Sequence, residues 1–345
     1  MKVMIVTDAW LPQVNGVVTT LAKISEGLDQ LGHDVRFVTP QLFKSIPCPT
    51  YPEIRLSLLP YAGVSREIEA FAPDALHIAT EGPLGLAARR YCLKHKVAFT
   101  SAFHTRFAEY VHARIRIPVD LTYRWLRNFH APSRALMVPT PSVQRDLEAR
   151  GFTNTVAWTR GVDTATFSPG ARDALVNRRP IFLYVGRVAV EKNIEAFLKI
   201  DLPGTKWVVG EGPMRAKLER RYPHVHFAGI KTPAELARYY RAADVFVFPS
   251  LTDTFGLVML EALACGTPVA AFPVLGPIDV IGDSGAGVLH EDLGIACVQA
   301  LDIPREKARG YAEQFSWQAS IDQFVRHLTP VAARSAAWLL ISTPS

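Results

Sequence analysis

Two carboxylates bracket a short glycine-containing stretch in the last third of the chain. Asp253 and Glu261 lie eight positions apart in SLTDTFGLVMLEALACGTPVA, residues 250–270, and between them are Phe255, Gly256 and Leu257. A helix that begins here would direct free backbone N–H groups at an anion, and an ionised carboxylate can accept hydrogen bonds from ligand hydroxyls. The same spacing suits a plain helix with one capping acid and one solvated acid. The rest of the chain has to decide between these interpretations.

Two cations follow a strand-like run in the same half of the chain. In IFLYVGRVAVEKN, residues 181–193, Arg187 comes directly after Gly186, and Lys192 stands five positions later, where a helix should begin. Arginine can bind a phosphate bidentately and lysine adds a point charge, so the pair suits a diphosphate at the carboxyl edge of a sheet. Two solvated surface cations are the alternative. Loops with glycine follow the next two strand-like runs, and they contain Gly210 and Ile230.

The first half offers two weaker candidates at strand ends. The loop DAWLPQVNGVVTT, residues 8–20, contains Gly16, where a missing side chain would let the backbone approach a ligand. This loop lacks the G-x-G-x-x-G spacing, which argues against a nicotinamide cofactor. In AFTSAFHTRF, residues 98–107, His104 ends another strand-like run. A single histidine is more often structural, but its place at a strand end favours a function.

Short β-branched runs alternate with helical periodicity along the whole chain. This alternation predicts repeated βα units, and therefore parallel sheets covered by helices on both faces. The expected strands are residues 3–7, 34–39, 54–58, 75–79, 97–102, 136–139, 155–159, 181–185, 206–209, 225–228, 245–249, 268–272 and 287–290. A Pro- and Gly-containing stretch at residues 166–180 predicts a linker between two sheets. The first helix should end before Gly32, with an apolar stripe at Leu21, Ile24, Leu28 and Leu31.

Length and composition limit the classes of protein to which the chain can belong. A chain of 345 residues exceeds the usual single-core limit, and 49% hydrophobic with 20% charged residues is typical of a globular protein, so we expect two domains. No run reaches the roughly 18 apolar residues of a membrane span, and the first apolar run is too short for a signal peptide. We therefore expect a cytoplasmic protein. Four scattered cysteines indicate neither a zinc site nor disulfides.

The positive charge of the chain is concentrated in one stretch. The net charge is +6, and residues 89–134 hold ten Lys or Arg against two acids. Within it, RFAEYVHARIRIPVDLTYRWLRNFHAPSR, residues 106–134, interleaves cations with apolar side chains, which suits an anionic membrane surface. The candidate membrane or acceptor residues are Arg106, Tyr110, Arg114, Arg116, Tyr123, Trp125 and Arg127. Amphipathic helices packed on a core are the alternative. Nucleic acid is not expected as a partner, since no recognised binding module accompanies the charge.

Taken in order, these motifs resemble those of the retaining, nucleotide-sugar-dependent glycosyltransferases of family 4. The resemblance runs from PQVNGV through FHT, VGR, EKN and VGEGP to PSLTDTFGLVMLEALACGTPV, and it covers nearly the whole chain. It implies the GT-B architecture, in which two Rossmann-like domains face each other across a cleft. The segments LHIATEGPLG and FHTRFAEYV are most similar to the branch that contains glycosyl-diacylglycerol synthases, sulfoquinovosyl-diacylglycerol synthases and lipid mannosyltransferases.

The resemblance also implies roles for the candidate residues. Glu261 would accept hydrogen bonds from the donor's ribose, and Asp253, which stands where the family has a Glu, would lie near the donor sugar. Arg187 and Lys192 would clamp the diphosphate, and the backbone around Gly256 would hold sugar and phosphate oxygens. The remaining catalytic and donor-binding positions are Gly16, His104, Gly210, Ile230, Phe255 and Leu257. Because the two cations can balance the leaving charge and no D-x-D triplet occurs, neither a metal nor another cofactor is expected.

The implied domains are residues 1–167 for the acceptor, 168–315 for the nucleotide-sugar, and 316–345 as a helical segment that returns to the first domain. The expected reaction moves a hexose or uronic acid from a nucleotide-sugar, with uridine favoured, to a membrane lipid such as diacylglycerol at the inner face of the cell membrane. Asp8 and Glu81 are the candidates for a covalent intermediate, but neither is well placed, so a front-face reaction is favoured. The rivals are a glycosyltransferase with a soluble or polysaccharide acceptor and a nucleotide-sugar 2-epimerase.

Overall fold

The computed structural model describes residues 1–13, 15–48, 51–176 and 178–331, without the side chains of residues 51–53 and 113–115. Most of its strands belong to two parallel sheets of six strands each. The strands are β1 (Lys2–Val6), β2 (Asp34–Val38), β3 (Ser45–Cys48), β4 (Tyr51–Ser57), β5 (Ala75–Ile78), β6 (Thr100–Ala102), β7 (Leu136–Val138), β8 (Thr155–Ala157), β9 (Ile181–Val185), β10 (Thr205–Val209), β11 (His226–Phe227), β12 (Val245–Phe248), β13 (Val269–Ala271) and β14 (Gly287–Leu289).

Helices connect most of these strands. In the described part of the chain they are α1 (Gly16–Gln30), α2 (Tyr61–Phe71), α3 (Pro83–His95), α4 (Phe107–Ile115), α5 (Val119–His130), α6 (Pro141–Ala149), α7 (Ile194–Lys199), α8 (Arg215–Arg221), α9 (Pro233–Ala242), α10 (Leu257–Ala264), α11 (Pro277–Val280), α12 (Leu293–Ala300), α13 (Arg305–Ala312) and α14 (Trp317–His327). Short 3-10 turns occur at Pro40–Leu42 and Val190–Lys192.

Both sheets have the strand order of doubly wound α/β folds. The first sheet has the order β2-β1-β5-β6-β7-β8, and the second has β11-β10-β9-β12-β13-β14. All neighbouring strands in both sheets run parallel. In each sheet the strand order reverses next to the strand that comes first in sequence, β1 or β9. Ligands of such folds bind in the crevice at that point. The predicted fold class, two Rossmann-like parallel-sheet domains, is confirmed.

Alternate side chains of the central strands pack into separate cores on the two faces of each sheet. In β9, the odd-numbered positions from Ile181 to Val185 join one apolar cluster, while Phe182 and Tyr184 join another. The strand β1 divides in the same way between two clusters of the first sheet. Since neither face meets solvent, these strands have continuous apolar sequences, which is the pattern that predicted them.

The helix α1 begins and ends where its residue types indicate. Asn15 Oδ1 accepts hydrogen bonds from two backbone N–H groups of the first turn, both at 3.0 Å, so the side chain caps the helix. Leu21, Ile24 and Leu28 of the predicted apolar stripe are fully buried. Leu31, predicted on the same stripe, is 49% exposed, because the helix ends one residue earlier and Leu31 is its C-cap.

One predicted strand belongs to an element that the sequence pattern did not indicate. The run at residues 54–58 falls in β4, which pairs with β3 in an antiparallel hairpin separate from both parallel sheets. The strand β3 has the sequence SIPC. A proline in so short a run argues against a strand, and it is tolerated here because the hairpin has two edges.

The helix α14 packs on the first half of the molecule although it follows the second sheet in sequence. Trp158 Nε1 donates a hydrogen bond to Ser320 O at 3.2 Å. Phe324 contacts the rings of His77 and Trp158, with centroid distances of 4.9 and 5.2 Å. These contacts connect the end of β8 to a helix more than 150 positions later. Residues 332–345, which the sequence analysis places in the same segment, lie outside the described residues.

Replacing Phe324 with alanine should lower the free energy of unfolding by about 3–5 kcal/mol, because the side chain is fully buried and its loss leaves a cavity. Urea unfolding followed by circular dichroism measures the change. The matched control is Ala319→Ser on the exposed side of the same helix, which should change the free energy by less than about 0.5 kcal/mol. Equal stabilities of the Phe324 variant and the unchanged protein would contradict this packing.

Candidate active site

The loops after β9 and β12 meet where the strand order of the second sheet reverses. Arg187 and Lys192 lie in the loop after β9, and Asp253 lies in the loop after β12. The side chains of Asn193 and Thr252 each donate a hydrogen bond to a backbone carbonyl of the opposite loop, at 3.1 and 3.2 Å. The two loops are therefore held side by side at the crevice where ligands of this fold bind.

Lys192 and Asp253 form an ion pair between these loops. Lys192 Nζ lies 2.5 Å from Asp253 Oδ1 and 3.5 Å from the hydroxyl of Tyr110, which α4 brings from the first half. Burial by itself would lower the pKa of Lys192, but the Asp253 carboxylate outweighs burial and raises this pKa, so the ammonium stays charged. Asp253 Oδ2 is buried and has no hydrogen-bond partner among the described residues. This oxygen can accept a hydrogen bond from a ligand.

The N-terminus of α10 follows Asp253 directly. Gly256 is the N-cap with φ of 87°, and no side chain caps the helix. A Cβ at this position would lie 2.8 Å from Met259 Cε and 3.0 Å from Phe248 Cζ, so the turn requires glycine for its conformation and its packing. Phe255 is 6% exposed and packs in the core, so it offers the site only its backbone. Such a helix start can bind anions through backbone N–H groups.

Glu261 lies on α10 one turn beyond its start. The hydroxyl of Tyr240 on α9 donates a hydrogen bond to Glu261 Oε2 at 3.0 Å. Burial raises the pKa of Glu261 to about 7, and the hydrogen bond from Tyr240 opposes this effect only in part. The carboxyl group therefore changes charge near neutral pH. Ligand hydroxyls that donate to it would favour the carboxylate form.

Two residues of the first half face this helix start. The carbonyl oxygen of His104 accepts a hydrogen bond from Thr254 Oγ1 at 2.7 Å, so the loop after β6 contacts the loop after β12. A Cβ added to Gly16 would lie 3.6 Å from Leu257 Cδ1. The backbone of Gly16 is ordinary right-handed helix. Its missing side chain therefore matters for the space beside α10 and not for backbone conformation.

The imidazole of His104 is enclosed by the first half. Its Nδ1 lies 3.4 Å from Nη2 of Arg160, and its ring meets the ring of Trp158 edge-on with centroids 5.4 Å apart. Burial, then the charge of Arg160, and then His77 lower the pKa of His104 well below its usual value of 6.5. The ring is therefore neutral at physiological pH and supplies no positive charge to the site.

The other predicted donor-binding positions lie at the same edge of the second sheet. Gly210 follows β10, and its N–H donates a hydrogen bond to Gly229 O at 2.9 Å. Ile230 follows β11 and is 57% exposed, so a ligand can reach its side chain. The carboxyl ends of four parallel strands, β9 to β12, thus bring the predicted donor-binding residues of the second half to one region.

Both acids that could form a covalent intermediate make other contacts. Asp8 accepts hydrogen bonds from two N–H groups in the first turn of α3, at 2.9 and 3.3 Å, and from Thr80 Oγ1 at 2.9 Å. Burial raises the pKa of Asp8 to about 6 although these hydrogen bonds lower it. Glu81 Oε1 lies 3.2 Å from Nε2 of the buried His130. Both carboxylates are therefore held by neighbouring side chains or backbone groups of the first half.

Two protein-family models match the chain. The model described as Glycosyltransferase Family 4 matches residues 14–166, and the model described as Glycosyl transferases group 1 matches residues 179–302. A sulfoquinovosyl transferase from Arabidopsis thaliana is 32% identical, with coverage of 80% of this chain and 60% of the plant protein. The chain belongs to the family 4 glycosyltransferases. It is therefore an enzyme of the hexosyltransferase class.

Further relatives of this glycosyltransferase differ in the substrates that their names give. A GDP-mannose-dependent alpha-mannosyltransferase from Mycolicibacterium smegmatis is 29% identical over 97% of this chain and 98% of its own. An alpha-monoglucosyldiacylglycerol synthase from Streptococcus pneumoniae is 27% identical over 87% of this chain and 78% of its own. The solved structure of sucrose-phosphate synthase from Thermosynechococcus elongatus has a TM-score of 0.74 at 20% identity, covering 94% of this chain and 97% of that one. The shared fold is GT-B.

In the glycosyltransferase, several predicted membrane residues are not on the surface. Arg106 and Tyr123 both contact the carboxylate of Glu109, and their side chains are largely buried. Tyr110 contacts Lys192 in the active site instead. The contact between Tyr123 and Glu109 packs α5 against α4, and Arg106 joins the same carboxylate. These contacts, and that of Tyr110 with Lys192, argue against a membrane contact for the three side chains.

A smaller exposed surface remains on α4 and α5. Arg127 is half-buried and donates a hydrogen bond to a backbone carbonyl at 3.0 Å. The side chain of Arg114 lies outside the described residues. The exposed apolar and cationic side chains, which we call the α4–α5 surface, are Phe107, Arg116, Leu121, Arg124 and Trp125. They combine aromatic, aliphatic and positively charged groups on one pair of helices.

Sequence patterns did not assign three residues of this region to the site. Tyr110 was interpreted as a membrane residue, because its helix has no signal that separates an inward from an outward aromatic side chain. Tyr240 lies within α9 and offers no signal. Arg160 lies three positions beyond Ala157, the last residue of β8. A cation at a strand end was the signal that identified Arg187, and the same signal was available for Arg160.

Features of some other chemistries are absent from the described part of the chain. It contains no group of three or more His, Cys, Asp or Glu side chains that could hold a metal ion. In the same residues, no helix is long and apolar enough to cross a membrane. The four cysteines form no disulfides.

Replacing Glu261 with glutamine should change the pH dependence of stability. The raised pKa of Glu261, from 4.5 to about 7, means that the folded protein holds this proton more tightly than the unfolded chain. The resulting stabilisation is present below about pH 4.5 and is lost as the pH rises through about 7. The variant cannot titrate there, so it should gain about 3 kcal/mol relative to the unchanged protein over this range. Urea unfolding at both ends of the range measures this, and a constant difference would contradict the raised pKa.

Proposed function

We propose that the glycosyltransferase moves a hexosyl group from a nucleoside-diphosphate sugar to a membrane lipid such as diacylglycerol, with retention of the anomeric configuration. The observation that carries this proposal is the Lys192–Asp253 ion pair, which lies directly before the uncapped N-terminus of α10 at the crevice of the second sheet. Arg187 lies in the same loop as Lys192. Two cations and a helix start suit a diphosphate, and the carboxylates around them suit sugar hydroxyls. A nucleotide-sugar has this combination of groups.

Each part of the donor would meet a different part of the site. Glu261 would accept hydrogen bonds from the ribose, and Arg187 and Lys192 would bind the diphosphate. Asp253 Oδ2, which has no hydrogen-bond partner among the described residues, would accept a hydrogen bond from a sugar hydroxyl. The loops after β10 and β11 would border the base. Uridine is the base that we expect, and the sugar would be a hexose or a uronic acid.

The proposed reaction needs no carboxylate beneath the sugar. The acceptor hydroxyl attacks the anomeric carbon on the face from which the diphosphate leaves. Its oxygen forms the new glycosidic bond, and its proton passes to the leaving diphosphate oxygen. Arg187 and Lys192 stabilise the charge on that oxygen, so no metal ion is needed. The contacts that occupy Asp8 and Glu81 support this route over a covalent intermediate.

The first half has features that suit a lipid acceptor. A cavity of about 240 Å³ lies beside the loop between β1 and α1, and its lining includes Trp10, Leu11, Pro12, Pro40, Phe43 and Arg55. The α4–α5 surface adds exposed aromatic and cationic groups, which suit peripheral binding to an anionic membrane such as the inner face of the cell membrane. The name of the monoglucosyldiacylglycerol synthase supports a lipid acceptor.

Mannosyl transfer is the second candidate, and the name of the GDP-mannose-dependent relative favours it. In that case the donor base is guanine, and the acceptor could be a soluble sugar or a polysaccharide. A nucleotide-sugar 2-epimerase is a weaker alternative, since both matching family models describe glycosyl transferases. Such an epimerase would convert the donor with no acceptor present.

A panel of UDP- and GDP-sugars separates these functions. Each donor is incubated with diacylglycerol in anionic vesicles and, separately, with soluble sugars, and the products are identified by mass spectrometry and proton NMR. A glycolipid with the donor's anomeric configuration supports the proposal. Transfer only to soluble sugars would contradict the lipid acceptor. Conversion of the donor without any acceptor would contradict the transferase activity and indicate the epimerase.

Arg187→Ala and Glu261→Ala should each reduce kcat/KM at least about 100-fold while the protein stays folded. The first variant loses a charge that stabilises the leaving group, and the second loses the acceptor for the ribose hydroxyls. Arg220→Ala is the matched control, because Arg220 is an exposed cation on α8 of the same half. Steady-state transfer assays measure all three variants. A rate near that of the unchanged enzyme for either site variant would refute its assignment.

Reversing charge on the α4–α5 surface should weaken vesicle binding. Arg116→Glu combined with Arg124→Glu should lower affinity for vesicles with phosphatidylglycerol at least about tenfold, since each basic residue near such a surface contributes about 1 kcal/mol. Added salt should weaken binding of the unchanged protein. Co-sedimentation measures both effects. Lys217→Glu combined with Arg220→Glu makes the same change of charge on exposed residues of α8 and should have a smaller effect. Equal losses in the two double variants would contradict a specific surface.

A further inference from the structure

Arg160 is a buried cation behind the active site. Its side chain is 3% exposed. Burial lowers its pKa to about 9, and no neighbouring carboxylate raises it. Its Nη1 donates hydrogen bonds to the carbonyl oxygens of Trp158 and Thr159 at 2.6 and 3.0 Å, and the guanidinium lies 4.0 Å from the Trp158 ring centroid. A buried charge without an opposite charge nearby destabilises the folded state, so Arg160 is expected to have a specific role.

The remaining contact of the guanidinium is with a residue of the site. Arg160 Nη2 lies 3.4 Å from His104 Nδ1. A guanidinium has donors and no acceptor, so in this hydrogen bond the imidazole nitrogen must accept. The proton of a neutral imidazole with Nδ1 as acceptor is on Nε2. A second positive charge on the ring would also be repelled by the guanidinium.

We infer that Arg160 is a positioning residue that holds His104 as the neutral tautomer with its proton on Nε2. His104 would then act in transfer as a hydrogen-bond donor and not as a base. This role in transfer rests on the proposed function, whereas the tautomer itself does not. The contact geometry of Arg160, Trp158 and His104 carries the inference.

The other groups around the ring are consistent with this assignment. His77 on β5 faces the same cluster, and its Nδ1 lies 2.9 Å from Thr100 Oγ1. Burial, Arg160 and His130 lower the pKa of His77 to about 3, so it adds no charge. From the second half, Thr254 bonds to the backbone of His104 and not to its ring. Arg160 is therefore the charged group that faces the imidazole within the described residues.

The helix α14 holds this arrangement in place. Ser320 accepts from Trp158 Nε1 through its carbonyl and donates from its hydroxyl to Thr159 O at 2.8 Å. Gln323 Oε1 accepts from the Thr159 N–H at 2.8 Å. The backbone on either side of Trp158 is thus fixed, and the Trp158 ring supports the guanidinium. A donor that is positioned by packed neighbours loses little entropy when a ligand binds.

The proton on Nε2 has a consequence for substrate binding. His104 Nε2 is buried and has no hydrogen-bond partner among the described residues. An unsatisfied buried donor destabilises the free protein, and a ligand oxygen that accepts from it removes that cost. A donor-sugar hydroxyl or a phosphate oxygen has the required acceptor, whereas an ammonium group does not.

The tautomer can be measured without any transfer assay. The full-length protein is labelled with 15N-histidine, and two-bond 1H–15N spectra report the protonation of each ring nitrogen. His104→Gln identifies the signals of His104 by their loss. We expect Nε2 protonated and Nδ1 unprotonated in the unchanged protein and in Arg160→Lys, and a mixture of tautomers in Arg160→Met. Protonated Nδ1 in the unchanged protein would overturn the inference, as would identical His104 shifts in folded Arg160→Met.

A double-mutant cycle tests whether Arg160 acts through His104. Arg160→Met should lower kcat/KM about tenfold in the unchanged background and have little further effect in a His104→Ala background. His104→Gln, whose amide N–H can replace Nε2–H, should keep at least about tenfold more activity than His104→Ala. Equal losses from Arg160→Met in both backgrounds would contradict positioning. If no donor and acceptor pair gives transfer, the proposed function fails, and the NMR experiment still decides the tautomer.

Discussion

The ion pair between Lys192 and Asp253 is the interaction on which the active site depends. It joins two loops at the crevice of the second sheet, and the carboxylate keeps the buried ammonium charged against the cost of burial. The same pair leaves one oxygen of Asp253 without a hydrogen-bond partner among the described residues. A single contact thus preserves a cation suited to phosphate and an acceptor suited to a hydroxyl. The glycine at the start of α10 completes this arrangement with backbone donors.

The first half of the glycosyltransferase completes the site from the opposite side. Tyr110 reaches Lys192, the backbone of His104 bonds to Thr254, and Gly16 leaves space beside α10. Tyr110 and His104 both follow β6, and Gly16 follows β1. Because they meet the loops of the second half directly, a change in the relative position of the two halves would alter the surroundings of Lys192 and of the start of α10.

Burial in the site raises the pKa of two acids and lowers the pKa of a histidine. It raises the pKa of Asp8 to about 6 and that of Glu261 to about 7, and it lowers that of His104. For Lys192 the Asp253 carboxylate reverses the effect of burial and raises the pKa. Asp8 and Glu261 are therefore weaker acids than usual, and His104 is neutral. The positive charge of the site consequently depends on the arginine and lysine side chains, which suits the binding of a diphosphate.

The sequence by itself determined the strands of both sheets, the fold class, the family and the positions of the donor motif, because each depends on local periodicity or on residues close in the chain. It did not indicate the hairpin of β3 and β4, which depends on the turn between them. It also did not indicate the exposure of Leu31, which depends on where α1 ends. Only the tertiary structure separated Tyr110, which contacts Lys192, and the buried Tyr123 from the exposed Trp125, and placed Arg160 behind His104. These outcomes depend on contacts between residues that are far apart in sequence. A local sequence pattern does not indicate which side of a helix, or which strand end, a distant segment will cover.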